Sequence, residues 1–233
     1  MRFLLLLVVA VPLAAQVQSQ QSLQSLSPFQ REKARVLLRE QLPCLGCHEL
    51  NGEGGHSAPS LTGIAARRDP AWIRAMIVAP QSLVAGTTMP AIPMPPRTRN
   101  LIVAYLAGTD VDSQPLRAAA PPPAVNAAAA SAPAALYAKW CATCHGASGR
   151  GDGPNARFLP IAPAVHASAA QMAARSDDML FDAIAGGGWV MGKSPRMPAF
   201  GQTLSSAEIR SLVGYIRVLC ACRGPAWSSD DRR

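Results

Sequence analysis

Two short stretches carry residue types able to do chemistry: Cys44-Leu45-Gly46-Cys47-His48 and Cys141-Ala142-Thr143-Cys144-His145. Each reads C-x-x-C-H, the spacing of a covalent haem attachment site. Two thiols three residues apart reach the two vinyl groups of one porphyrin and form thioethers. On a helical turn, residues four apart share a face, so the histidine can point at the iron from beneath the ring. Other uses of these residues fit worse. A structural zinc site closes four ligands around the metal, but the two motifs lie far apart and neither sits on a compact knuckle. A thioredoxin-like C-x-x-C expects a βαβ pattern around it, and no run of alternating or β-branched residues is present.

The elements that must position these motifs read as helices. Ser27-Pro28-Phe29-Gln30 has the form of a capped start, with Pro at the first helical position and Gln three residues after the cap. The helix is expected to run through Arg31–Glu40 and to end at Pro43. Asn51–Gly55 reads as a tight glycine loop. Asp69-Pro70 opens a helix with Trp72, Ile73, Met76 and Ile77 at amphipathic spacing. A further helix carries Leu101, Ile102, Tyr105 and Leu106, with Gly108 as its C-cap.

The second half repeats the plan. A helix through Leu136, Tyr137, Lys139 and Trp140 leads into Cys141, and Ser176-Asp177-Asp178 caps another. Gly186–Gly188 reads as a loop towards Met197-Pro198. Ser205 and Glu208 form a capping box for a last helix striped with Ile209, Leu212, Val213 and Ile216.

Around these halves the expected organisation is a signal peptide over 1–15, a polar lead-in over 16–27 and a first domain over 28–110. An Ala/Pro-rich linker over 111–133, a second domain over 134–224 and a polar tail over 225–233 follow. Met1-Arg2 and the apolar run from Phe3 to Ala15 suit an exported protein; an uncleaved anchor is the other reading of that run. The linker is semi-rigid where Pro121–Pro123 cluster, which implies tethered rather than fused domains. With 5% aromatic residues the two cores are thin, and a covalently held haem is the staple such small domains need.

Each half resembles a class I cytochrome c domain, and the whole is similar to soluble two-domain dihaem bacterial cytochromes c. The resemblance covers about 28–110 and 134–219. It is strongest at Cys44–His48, Pro59–Leu61, Gly86–Pro90, Tyr137–Gly153 and Met197–Gly201. It implies an all-α fold of two tandem domains, each wrapped around a haem. It also implies two covalently bound haem c groups, through Cys44, Cys47 and His48 and through Cys141, Cys144 and His145.

In that family a distal methionine completes the iron opposite His48 or His145. Met89 is the choice over Met94 because Gly-Thr precedes it, and Met197 over Met191 because Pro198 stiffens the loop. A proline carbonyl often orients the histidine, with Pro59 and Pro163 as the matching candidates. His56 and His166 are read as solvated loop residues rather than as ligands of a bis-histidine haem. Trp72, Tyr105, Trp140 and Phe181 read as packing residues. Arg67 and Arg68 are either propionate partners or surface. Cys220 and Cys222 fall outside the family plan: they pair with each other, link two chains or stay free.

The formal charge is +8: Arg2 in the leader carries one, and the rest is shared as +3 over 28–110 and +4 over 134–224. Haem propionates reduce it, and the surplus favours acidic partners or transient contact with anionic membrane surfaces. No Lys/Arg run suggests nucleic acid. The sequence sets no oligomeric state. The expected role is a periplasmic electron carrier rather than an enzyme. It would pass single electrons between redox proteins such as an oxidase, a quinol-oxidising complex or a dehydrogenase. The alternatives are a haem-bearing subunit of a membrane complex, or a dihaem peroxidase or thiosulfate-oxidising enzyme.

Overall fold

The computed structural model describes residues 26–108 and 132–228. The leader, most of the lead-in, most of the linker and the last five residues lie outside them. Among the described residues the fold is all-α apart from one two-stranded hairpin.

In the first half, α1 spans Pro28–Val36 and starts with the full capping box: Ser27 and Gln30 each accept from the other's backbone N–H. Such a cap is worth about 1 kcal/mol. The expected single helix to Glu40 instead widens into a π-turn over Leu37–Gln41, where the Leu42 N–H donates to the Leu37 carbonyl. Pro43 is the reason, because the residue before a proline is driven out of helical geometry, and Leu42 is extended. Leu26, expected in the lead-in, is buried in the first core.

Next, β1 (Glu49–Leu50) and β2 (Glu53–Gly54) pair antiparallel. Asp69 caps α2 (Pro70–Val78), and α3 (Pro80–Leu83) follows directly. The last helix of this half, α4 (Pro96–Ala107), ends on Gly108 in the left-handed conformation. It packs on α1 and α2, burying Ile73, Ile77, Leu101, Ile102 and Val103 with Leu38.

The second half starts at α5 (Pro133–Trp140), so the linker ends one residue earlier than expected. Then come α6 (Ala142–His145), α7 (Ala169–Ala173), α8 (Asp177–Val190) and α9 (Ser206–Cys220). Ser176 caps α8, and Asp177 and Asp178 meet the positive end of its dipole. The expected loop at Gly186–Gly188 is a kink within α8, where Gly187 turns to φ 79°. α9 has its capping box and buries its apolar stripe against α5 and α8. Cys220 and Cys222 form a disulfide across the end of α9. Among the described residues no helix is long and apolar enough to cross a membrane.

Candidate haem sites and the seam between them

The first motif follows Pro43 as a 3-10 turn over Cys44–Gly46, and the His48 N–H donates to the Cys44 carbonyl. His48 Nδ1 lies 2.6 Å from the Pro59 carbonyl. A carbonyl only accepts, so Nδ1 carries the proton and Nε2 keeps the lone pair that a metal needs. Burial pushes the pKa of His48 down, with the Pro59 bond opposing it, so the neutral, ligating form is favoured. The loop holding Pro59 is tied down on both sides. Ala58 N–H donates to the Cys47 carbonyl and Leu61 N–H to that of Glu49. The Glu49 carboxylate accepts from Ser60, Thr62 and the Gly52 N–H. Arg67 donates to the Ser60 and Thr62 carbonyls and so braces this loop, and Arg68 lies over the Trp72 ring.

The second motif continues from α5 into α6. His145 Nδ1 lies 2.9 Å from the Ala164 carbonyl, so the acceptor is one residue beyond the expected Pro163. The connecting loop is longer here, 19 residues from ring to acceptor against 11, and brings a different carbonyl under the ring. His145 is likewise shifted down by burial.

His166 departs from the expectation of a solvated loop residue. It is only 7% exposed. Its ring lies flat on that of His145, with centroids 4.0 Å apart and planes 11° apart, and Tyr137 Oη is 2.8 Å from its Nδ1. Burial pushes its pKa down to about 2. A second axial ligand would stand across the iron from His145, not flat against it. His56 stays exposed, with its ring 4.3 Å from that of Phe158.

None of the four motif cysteines is in a disulfide. Burial pushes Cys44 to about 11, Cys141 to about 12 and Cys144 to about 11, and raises Cys47 too. Among the described residues no three His, Cys, Asp or Glu side chains close on a common centre. Paired thiols on one turn, followed by an imidazole with a free Nε2, suit covalent haem.

The methionine loops share an anchor. Three residues after Met89, the Ile92 N–H donates to the Ile77 carbonyl at the end of α2. Three residues after Met197, the Phe200 N–H donates to the Ile184 carbonyl of α8, and Gly201 to Ala185. Met-Pro-Ala heads both loops. In the second, the kink lets the Gly188 N–H reach the Met197 carbonyl, and a Cβ on Gly187 would come within 2.8 Å of the Ala199 nitrogen. Met89 and Met197 each pack on their own core. Met94 also packs on the first core, but Met191 is absent from the cluster around the second.

The halves are docked, not merely tethered. Asn155, 1% exposed, sits in the seam. Its Nδ2 donates to the Gly46 carbonyl inside the first motif, and its Oδ1 accepts from the His56 N–H at 2.8 Å. Its own N–H donates to the Thr143 carbonyl inside the second motif. Arg196, next to Met197, donates to the Leu38 carbonyl at 3.0 Å, and the Ala91 N–H donates to Thr203 Oγ1. A side chain at Gly46 would run into the Arg196 backbone. Cys47 lies close enough to Cys144 to help raise its pKa. These contacts span the two halves, so no local sequence pattern announces them.

The family described as "Cytochrome c" matches residues 37–110, and the family described as "Cytochrome C oxidase, cbb3-type, subunit III" matches residues 128–216. Compared with curated proteins and with solved structures, the chain has no match.

Proposed function

The chain belongs to the c-type cytochromes, with two such domains in tandem, and from that premise we propose that it holds two haems and shuttles single electrons between redox proteins. Haem-based electron transfer follows from the domains themselves; the count, the route and the partners are the proposal. Haem c, when bound, supplies a centre that accepts and returns one electron.

The chain's residues do the rest. Cys44 and Cys47, and Cys141 and Cys144, would hold the two porphyrins. His48 and His145 present Nε2 because Pro59 and Ala164 fix their tautomer. Met89 and Met197 would close the opposite faces, as the shared Met-Pro-Ala anchor supports. Burial of a haem raises its potential relative to an exposed one.

The observation that carries the reading is Asn155, which hydrogen-bonds to both motifs at once. It holds the two attachment sites side by side, so an electron can pass from one half to the other without domain motion. We place the protein in the periplasm, on the apolar leader and on the compartment where haem c is attached. Its donors and acceptors are an oxidase, a quinol-oxidising complex or a dehydrogenase.

The test is haem counting by pyridine haemochrome with an optical redox titration. Two haems per chain and two one-electron waves are expected. Colourless protein from a host competent in haem attachment would overturn the reading.

One observation favours a second reading. The match over 128–216 to a family described as an oxidase subunit suggests a haem-bearing subunit anchored through Phe3–Ala15. Cell fractionation separates the two: release with the periplasmic fraction supports the shuttle, and detergent dependence supports the subunit.

A further inference from the structure

The second motif histidine has a companion that the first lacks. His166 is stacked face to face on His145 at 4.0 Å and 11°. Tyr137 Oη holds the His166 Nδ1 at 2.8 Å. Tyr137 is itself 1% exposed and packs against Tyr215 with ring centroids 5.2 Å apart. Two helices therefore set the plane of the His166 ring: α5 through Tyr137, and α9 through Tyr215 behind it. Among the described residues no aromatic ring stacks on His48, which has only the Pro59 carbonyl.

The Ala164 bond alone leaves His145 free to rock about the line from Nδ1 to the carbonyl. A flat ring against its face removes that freedom. We infer that the Tyr137–His166 pair is a positioning device that fixes the plane of the second axial histidine and makes the two haems electronically unequal. The inference deepens the electron-carrier reading and rests on haem being bound at the second motif.

Two consequences are measurable. The plane of an axial imidazole sets how the iron d orbitals split, so a rocking ring spreads the g-values of the ferric haem. Opening a void beside His145 also admits water, and a more polar surround favours the ferric state and lowers the potential.

The experiment uses the full haem-loaded chain, by EPR of the ferric protein and redox titration, with M89A assigning the first haem's signal. H166A is expected to broaden the second haem's signal and lower its midpoint, leaving the first haem as in wild type. H166F restores the flat ring without its hydrogen bond and is expected to narrow the signal relative to H166A without reaching wild type. Y137F keeps the ring but frees it to turn, and gives a smaller broadening than H166A.

An H166A protein whose second haem is unchanged, or whose two haems shift alike, overturns the inference. Should H166A lose the second haem, H166F and Y137F decide: a modest broadening of the second signal in both supports the pair, and a wild-type signal in both overturns it. Wild-type protein without haem at the second motif overturns this inference and the carrier reading together. Two haems with an indifferent H166A overturn only this one.

Discussion

His48 rides on a 3-10 turn that runs into a β-hairpin, whereas His145 closes a helical turn continuous with α5. The first histidine is tied to a carbonyl 11 residues on, inside a loop laced to Glu49; the second is tied 19 residues on and stacked on His166. The parts these halves share are few. Each has a C-x-x-C-H turn, a carbonyl under the ring, and a Met-Pro-Ala loop hung from the C-terminal half of a helix. Much of what differs lies between the motif and that helix; the Gly187 kink and the Cys220–Cys222 disulfide are further differences in the second half. The chemistry constrains three points in space and leaves the connecting chain free, and that freedom is what makes the two sites different.

The strongest way to break the comparison is to remove one motif at a time. C44A/C47A and C141A/C144A are each expected to lower the haem count from two per chain to one. Loss of both haems from a single pair would mean that the seam makes one half depend on the other for folding. Next in size, M89A and M197A should each remove about half of the sulfur-to-iron charge-transfer absorbance of the ferric protein, while M94A and M191A leave it intact. A full band in M89A would move the first ligand to Met94 and end the parallel between the loops.

A smaller effect is expected at the seam. N155A strips the Gly46 carbonyl and the His56 N–H of their partner, a loss of about 1–3 kcal/mol. Calorimetry should show one unfolding transition in wild type dividing into two. A single unshifted transition would mean that the halves are held together elsewhere.

The smallest effect belongs to Glu49. Hydrogen bonds from Ser60 above all, and from Gly52, hold its carboxyl below the usual value of 4.5. A depressed carboxyl contributes stability that is in place above its unfolded pKa and fades as pH falls through the folded one. E49Q should therefore lower thermal stability slightly at neutral pH and show a smaller further loss than wild type below about pH 4.5. An acid-side melting curve identical to wild type would remove Glu49 from the first loop's support.

The elements that the sequence revealed are those with local causes. Ser27 with Gln30, Asp69 before Pro70, Gly108, Ser176 and Ser205 with Glu208 each cap a helix within a few residues of themselves, and each is found where its neighbours imply. The C-x-x-C-H spacing is local too. What sequence reasoning missed depends on distant partners. Asn155 carries no local signal at all; its partner, Gly46, lies far back in the chain. His166 sits in a run of small residues that suggests a solvated loop, and only Tyr137 and His145 bury it. Gly187 stands in a triplet that looks like a break, but its positive φ serves a helix that bends towards Met197.

The disulfide at the end of α9 sets a sorting problem for the maturing chain. Six cysteines leave the ribosome alike, and they meet two opposite fates. Cys220 and Cys222 are oxidised to each other, while on the proposed reading Cys44, Cys47, Cys141 and Cys144 would have to stay reduced until each has met a vinyl group. An environment oxidising enough to close the first pair can also close either C-x-x-C turn and block haem addition there. Correct maturation then depends on timing. Either thioether formation outruns oxidation at the two turns, or a reductant reopens them while Cys220–Cys222, with Cys220 4% exposed at the end of a packed helix, is spared.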